Sequence, residues 1–493
     1  MSSNFKKFTL AAGLVLTLGY LAGCGTRGEN TGFGEEESGP AAGLGTGGST
    51  ATGTATGSGL TGGATGTATP DPAFPSTVAT GLTVSNMLPA VSGGGGGSGA
   101  SNPPTRLGMG VFSFGTLPVV LQGFGNSTLG SGRVTILSRN PESPSGTSNI
   151  VLAPNAGTAS PLTITNPFGM LVDGSTIYVA DNASGAGIGR LIRYTNIQAN
   201  GQCTADQLAI NLNSPVDIAR EGNFLYVAEL GTGAVGRISR IDLTAPFPNS
   251  TIFVPQVNFC TSLAVDTANG HRFLYFTENA AGSSGSAQGG VIRIDLANYI
   301  AGSGIQNPAP PPPQNTGVQL ILPETGATAY NNPFDLATDA FSNLVITEGL
   351  NVSATGLLNP TTNPGALRVV AGGATPAITS KVVLQNSGSG GATGLSALRG
   401  IHLFNEDTTG AAVSVFFTEG NTNATATTLR QVTFRTSDAA IFRHLQLDNG
   451  KLSPLDTLFD AGDTTATPVV RPNVKYCVGA FGGGSQGQVL DLR

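Results

Sequence analysis

The chain has 493 residues, with 72 glycines, no tryptophan, 11% charged residues and a formal net charge of −6. At 39% hydrophobic residues it is too apolar to be disordered throughout, and its glycine excess implies many turns plus a low-complexity segment. The mildly acidic balance, with no basic run beyond Lys6-Lys7, argues against a nucleic-acid partner, whose phosphates need a basic face.

The first element is a leader. Lys6 and Lys7 precede an apolar run, FTLAAGLVLTLGY, and then LAGC. A charged start, an apolar middle and a small-residue cleavage site predict a signal peptide over residues 1–23. The run falls short of the about 20 apolar residues that a transmembrane helix needs. Leu21-Ala22-Gly23-Cys24 resembles the lipobox of bacterial lipoproteins. The resemblance implies cleavage before Cys24, a diacylglycerol on its thiol, and attachment to a membrane through that lipid. Gly25 follows, where an Asp would resemble an inner-membrane retention signal. The implied address is therefore the bacterial cell envelope, with the outer membrane favoured over the inner.

Residues 24–76 are mostly Gly, Thr, Ser and Ala, with almost nothing apolar to bury, and are expected to be a disordered tether. About 50 residues at ~5–6 Å × √n span roughly 40 Å. The folded domain is expected over 77–493, with a second Gly-rich patch, SGGGGGSGASNPP, at Ser92 to Pro104. Besides Cys24 there are Cys203, Cys260 and Cys477, so at most one disulfide forms, and which two would pair is open. No two lie within a CxxC, so no zinc pattern is present.

From there the chain repeats itself. One piece reads NPFGMLVDG at Asn166, NSPVDIAREG at Asn213 and NNPFDLATDA at Asn331, with looser copies FCTSLAVDT at Phe259 and LRGIHLFNE at Leu398. A second reads TIYVAD, FLYVAE, FLYFTE, NLVITE and VSVFFTE; a third GRLIRYT, GRISRIDL and GVIRIDL; a fourth IVLAP, TIFVP, LILPE and KVVLQ. Each is short, rich in Val, Ile, Tyr and Phe, and bounded by Gly, Asn, Pro or Asp, which predicts strands. Helical periodicity is nearly absent. Four short antiparallel strands cannot cover both faces of their own sheet, and repeating the sheet radially lets neighbours cover each other, as in a β-propeller. The fold class is all-β. Clear repeats run over 166–458, a degenerate unit (GVFSFG, PVVLQGF, GSGRVTILSR) precedes them, and a fragment (PVVRP, VKYCVGAF, GQVLDLR) follows. Seven blades are expected, with six as the alternative. The last lacks a strand, for which TVSNMLPAV at Thr83 to Val91 is the candidate. Gly420 to Asp438 reads as an insertion, and DNG at Asp448 to Gly450 as a hairpin turn.

The pattern N-P-x-[GD]-[LI]-A-x-D, then LYVAE, then G-x-I-x-R-[IV]-D resembles NHL-repeat and SMP-30/gluconolactonase-like propellers. The resemblance is strong for fold and weak for function, since that fold hosts binders and enzymes alike.

Several residues invite a functional reading. GTGAVG at Gly231 to Gly236 matches GxGxxG, but a β-branched alternating stretch follows it instead of a helix, so it is a hairpin connection. The acids closing the second strands, Asp181, Glu229, Glu278, Glu348 and Glu419, recur in every clear unit and are expected to be structural, accepting N–H groups of the turn that follows. Asp217 and Asp335 open first strands where other units have Gly169, Ser262 and Gly400, so the repeat does not require them. Two carboxylates facing a narrow channel repel unless a cation, with Ca²⁺ the candidate cofactor, or a cationic ligand group lies between them; solvation at the channel mouth or capping of a loop backbone is the alternative. His402 is the one histidine on a predicted inner strand. Arg193, Arg240 and Arg293 are expected to pair with acids or carbonyls of neighbouring blades.

Two functions fit. The first is a surface-tethered, monomeric scaffold that binds a protein or glycan partner in the envelope, with variable loops on a rigid ring. The second follows from the resemblance to SMP-30: a divalent-metal-dependent lactonase or esterase with its site at the channel and Asp217, Asp335 and His402 as candidate ligands. The balance leans away from an enzyme, and no catalytic residue is assigned.

Overall fold

The computed structural model describes residues 77–78, 84–86, 104–122, 132–137, 149–154, 162–182, 189–232, 235–278, 289–303, 317–323, 330, 332–352, 358–360, 365–385, 398–419, 428–449, 454–460, 474–479 and 489–492. The segments expected to be a leader and a tether, and the proline run at 308–313, lie outside them. Among the described residues every regular element is a strand, save one 3-10 turn at Ala268–Gly270.

The strands form a propeller-like arrangement of four-stranded sheets. One sheet has Pro104–Phe112, Gly115–Gln122, Arg133–Ile136 and Ile150–Val151 in order. The next has Pro167–Asp173, Thr176–Asp181, Gly189–Thr195 and Gln202–Leu212, and the one after it Pro215–Glu221, Phe224–Thr232, Val235–Asp242 and Thr251–Val257. Two further sets follow: Leu263–Asp266, Phe273–Glu278, Gly290–Asp295 and Val318–Pro323, then Pro333–Thr338, Leu344–Glu348, Ala366–Val370 and Thr379–Gln385. Leu398–Asn405, Ala412–Glu419, Thr428–Arg435 and Ile441–Asn449 come next. The last sheet joins Pro454–Asp460, Val474–Gly479 and Val489–Leu492 to the N-terminal strand Val84–Asn86, in the register Val84↔Leu492, Ser85↔Asp491 and Asn86↔Leu490. The segment expected to complete the final sheet thus does so.

The expectation of seven separate four-stranded sheets needs correction. Ala153–Pro154 adds a fifth strand, parallel, on Gln202–Cys203, and Thr77–Val78 adds another on Leu445–Gln446. Leu322–Pro323 runs parallel to Thr379–Ser380 and fuses two four-stranded sets into one eight-stranded sheet. In each case an extended segment at the rim satisfies outer-strand N–H and C=O groups that an open edge would leave exposed. Two readings near the C-terminal end also change. Gly420 to Asp438 contains the regular strand Thr428–Arg435, and Asp448 and Asn449 continue the strand Ile441–Asn449 instead of turning. A two-stranded hairpin, Leu350–Val352 with Leu358–Pro360, stands apart from the repeat.

Burial follows from stacking. Second strands such as Thr176–Asp181 and Leu344–Glu348 are buried along almost their whole length, while the outer strand Thr251–Val257 exposes Thr251, Ile252 and Gln256. The apolar clusters lie between sheets. One joins Phe168 to Val216, Tyr226, Phe253 and Val257, and on to Leu263, Phe276 and Phe334. Two-residue hairpins link first to second strands at Asp173↔Thr176 and Glu221↔Phe224, with Gly174 at φ 56° and Gly222 at φ 55° in the left-handed region such turns require.

First strands adjoin one another in chain order, and Pro104–Phe112 adjoins Pro454–Asp460, so the circuit closes. Contact there is close. A Cβ on Gly169 would lie 2.5 Å from the carbonyl oxygen of Val216 and 2.9 Å from the Cα of Asp217. Gly169→Val is therefore expected to cost about 1–3 kcal/mol of stability, read as a lower urea midpoint at unchanged m-value. An unchanged midpoint would show that these strands do not touch.

Candidate functional site

The two carboxylates singled out by sequence sit at one structural place. First strands carry a β-bulge near their start, with register shifts between Pro167 and Gly169, Pro215 and Asp217, and Pro333 and Asp335. A bulge re-aims the side chain beside it. Here it directs the carboxylates toward the neighbouring first strand. Asp217, 3% exposed, accepts the Leu263 N–H at Oδ2 at 2.8 Å. Asp335, fully buried, accepts the Ser262 hydroxyl at Oδ1 at 2.7 Å, and the Leu336 N–H lies 3.2 Å from the Ser262 Oγ. Ser262 and Leu263 therefore take one carboxylate from each side. The same joint is bonded again above and below. Thr261 Oγ1 donates to the Phe334 carbonyl at 2.6 Å, and Thr338 Oγ1 to the Val265 carbonyl at 3.0 Å.

Two residues at this place escaped the sequence reading. Arg106 follows the shift after Pro104 and is buried, its guanidinium 5.3 Å from the Phe168 ring centre. Asp456 follows the shift after Pro454. The signal for Asp456 was present: Ser453-Pro454-Leu455-Asp456 spells the same words as Ser214-Pro215-Val216-Asp217.

His402 is not brought to these acids. It lies on Leu398–Asn405 opposite Phe416, is 7% exposed, and burial lowers its pKa to about 4, so it is neutral at pH 7. Among the described residues no group of three or more His, Cys, Asp or Glu side chains is arranged to hold a metal ion.

The second-strand acids are tied down, but not by the donors expected. Asp181 accepts the N–H groups of Thr165 (3.0 Å) and Asn166 (2.8 Å), Glu229 that of Asn213, and Glu278 that of Asn258 (3.2 Å). These donors precede the unit's first strand instead of lying in the turn after the acid. Each carboxylate thereby closes its own sheet by holding the chain that enters it. An arginine of the third strand often completes the site: Arg190 Nε reaches Asp181 at 2.9 Å, Arg237 Nε reaches Glu229 at 2.9 Å, and Arg368 pairs with Glu348, both about 1% exposed. Glu278 faces Gly290 across the ladder and has no such partner, and burial pushes its carboxyl up from its usual range. The side chain of Glu419 lies outside the described residues.

The far ends of the first strands carry a further series, also missed. Asp173 pairs with Arg220 and Glu221 with Arg272 (2.6 Å), each bridging to the next sheet. Asp266 meets Ser342 of the next set at 3.1 Å, and Asn343 donates from Nδ2 to the Gly410 carbonyl at 3.0 Å. His271 stands beside Asp266 and Ser342, but the trio is no nucleophilic triad. Both partners face the same nitrogen, Nδ1, and Ser342 is fully buried.

The repeated arginines divide. Arg293 donates from Nη1 to the Pro376 carbonyl of the adjoining set at 3.2 Å, as expected. Arg193 pairs with Asp206 of its own sheet at 2.8 Å, and Arg240 stacks 4.8 Å and 5.3 Å from the ring centres of Phe224 and Phe253. Cys203 and Cys260 are buried free thiols, with burial raising Cys203 to about 11 and Cys260 well above its usual value. GTGAVG leads into the strand Val235–Asp242, with Thr232 opposite Val235, and is a hairpin connection.

No family model matches the chain, and no curated protein matches it. Among solved structures, it is similar to a protein assigned as a 6-phosphogluconolactonase from Bacteroides uniformis (11% identity, 76% of this chain and 91% of that one, TM-score 0.45). It is also similar to an assigned glucose dehydrogenase from Thermus thermophilus (13%, 84% and 100%, TM-score 0.36) and to the polysaccharide lyase Uly1 (10%, 81% and 91%, TM-score 0.42).

Two tests follow. Buried histidines that stay neutral bind fewer protons than their unfolded counterparts between about pH 4 and 6.5, so stability falls with pH through that window. His402, and His444 with its pKa also near 4, both have this sign. His402→Leu should flatten the decline in urea-unfolding free energy from pH 6.5 to 4 relative to wild type. Arg368→Met, which strands Glu348 without its partner, should cost about 3–5 kcal/mol, and adding Glu348→Leu should restore part of it in a double-mutant cycle.

Proposed function

We propose that the chain is a lipid-anchored β-propeller that serves as a binding scaffold in the bacterial envelope. The observation that carries this reading is the use made of Asp217 and Asp335. Their carboxylates, the best ligand candidates in the sequence, are engaged in bonds to Leu263 N–H and Ser262 Oγ that join adjacent first strands. Groups committed to holding a ring together leave recognition to the connections between strands. The strand style of the repeat is in keeping with NHL and SMP-30-like propellers. The partner is a protein or a glycan, and the lack of tryptophan favours a protein. The leader and Cys24 supply the anchor, and residues 24–76 the reach.

The rival reading, a metal-dependent lactonase, places a divalent ion at Asp217 and Asp335. Thermal unfolding of wild type, Asp217→Ala and Asp335→Ala, with and without Ca²⁺, separates the two. As latches, each carboxylate is worth about 1–3 kcal/mol, lost equally in both conditions. A stoichiometric ion in the purified wild-type protein, a calcium-dependent rise in Tm abolished by either substitution, and cleavage of lactones or esters would establish the hydrolase. The anchor is tested on its own. The full chain expressed in a bacterial host should incorporate an alkyne-labelled fatty acid and enter the detergent phase of Triton X-114, and Cys24→Ser should do neither.

A further inference from the structure

The exposed apolar side chains of this molecule are gathered at its rim. Among the described residues, Val151, Ile210, Ile252, Leu320, Leu322 and Phe442 lie on outer strands, and Ile300 and Ile378 on connections near them; Val111, on a first strand, is the exception. Single exposed aliphatics are ordinary, but a contiguous run is not. From the third set of strands to the fifth they are contiguous. Ile252 precedes Phe253, whose ring meets that of Tyr299 with centroids 4.9 Å apart and whose carbonyl accepts the Gly302 N–H at 2.8 Å. These contacts bring Ile300 to the outer edge of the third set. Gly317, just before the outer strand of the next set, abuts the same segment, since a Cβ there would lie 3.0 Å from the Tyr299 nitrogen. Leu320 and Leu322 are two residues apart and so project to one side of that strand. The Leu322 N–H then donates to the Ile378 carbonyl at 2.8 Å. Ile252, Ile300, Leu320, Leu322 and Ile378 are 41–65% exposed.

This arc is almost free of charge. Residues 243–257, 296–323 and 371–385 contain no acidic side chain and one basic one, Lys381, whose Nζ donates to the Ser437 carbonyl at 2.6 Å. Elsewhere on the rim charged pairs stand partly in the open, Arg193 with Asp206 on the second set and Arg435 with Asp438 on the sixth. The segment that follows Cys24 meets the body beside the arc. Thr77–Val78 pairs with Leu445–Gln446 on the outer strand of the sixth set, whose first strand adjoins that of the fifth. On that outer strand Phe442 and Arg443 are exposed. Residues 24–76 thus lead to the rim, next to the aliphatic run.

We propose that the arc from the third set to the fifth rests on a phospholipid bilayer, so that the ring stands edge-on to the surface. The inference builds on the reading of Cys24 as an acylated anchor. A bilayer fits the arc better than a second copy of the chain for a reason of shape. The rim of a closed ring is convex, and two convex rims touch along one narrow strip. The boundary between headgroups and acyl chains instead yields to apolar side chains spread over several sheets. The lack of acids suits a bilayer that contains anionic lipid, and Lys381 and Arg443 flank the aliphatic run with positive charge. In this pose the connections at both ends of the strands stay clear for the partner.

The test uses the full chain, acylated in a bacterial host, on vesicles of phosphatidylethanolamine and phosphatidylglycerol. The chain has no tryptophan, so Leu320→Trp and Ile252→Trp each introduce a single fluorescent reporter, and Gln207→Trp, exposed on the outer strand of the second set, is the control. Replacing part of the lipid with a phospholipid brominated in its acyl chains should quench the emission of both arc variants and leave the control unchanged. Equal quenching at all three positions, or none at the arc while the chain still floats with the vesicles, overturns the docking and leaves the anchor standing. A chain that does not float with them defeats the anchor reading and the docking together. Arc emission that shifts with protein concentration but ignores the brominated lipid shows a second copy there, and also overturns the proposal. Where the variants fail to fold, the wild-type chain is irradiated on vesicles whose lipid carries a diazirine in its acyl chains. The label should fall on the peptides that hold Ile252, Ile300 and Leu320–Leu322. Label confined to the peptides nearest Cys24 overturns the proposal.

Discussion

A sheet covered on both faces has nowhere to send its polar strand ends except into its neighbours, and the rest of this structure depends on that constraint. Stacked second strands bury apolar residues along nearly their whole length. Their closing carboxylates are buried with them, and a buried charge is tolerated only when paired and hydrogen-bonded. Asp181, Glu229 and Glu348 meet the requirement twice over, with an arginine of the third strand for charge and, for the first two, N–H groups of the incoming chain for geometry. The recurrence of the acid thus reflects a recurrent problem of closure. Asp217 and Asp335, which only some units carry, solve the neighbouring problem of joining one first strand to the next.

The joints between sheets are not equivalent, and the differences have local causes. Between the two sets of the eight-stranded sheet the bonds run from Thr261 and Ser262 through Thr338 to His271, and then out to the rim where Leu322 pairs with Thr379. Those two sets are thus bonded from the first strands to the rim. The joint at Gly169 relies on backbone approach close to Val216, with the Asp173–Arg220 pair at its far end.

Much of this was legible in the sequence. Strand identity came from β-branched and aromatic runs bounded by Gly, Asn and Pro, and the N-terminal strand that completes the final sheet was sought because the last unit lacked one. Less of the bonding was legible, because register decides it. The donors to Asp181 and Glu229 lie about fifteen residues upstream of the acid, a separation that carries no local pattern. Asp456 was overlooked because its unit had been anchored on PVVRP, one strand too late, although SPLD repeats SPVD. His271 fell on no predicted inner strand, and its partners Ser342 and Ala374 are 71 and 103 residues away in sequence.

The residues at equivalent places near the start of each first strand show how a repeat becomes a closed ring. In chain order they are Arg106, Gly169, Asp217, Ser262, Asp335, Gly400 and Asp456. Charged and small residues alternate, which is what close approach demands: each carboxylate that leans on a neighbouring strand needs a small residue there to lean over, as Asp335 does on Ser262. Alternation around an odd number of places must fail once. It fails where the first strand of the circuit adjoins the last, and there the two charged residues, Arg106 and Asp456, are of opposite sign. Arg106 itself turns to the sheet that follows, its guanidinium 5.3 Å from the Phe168 ring centre.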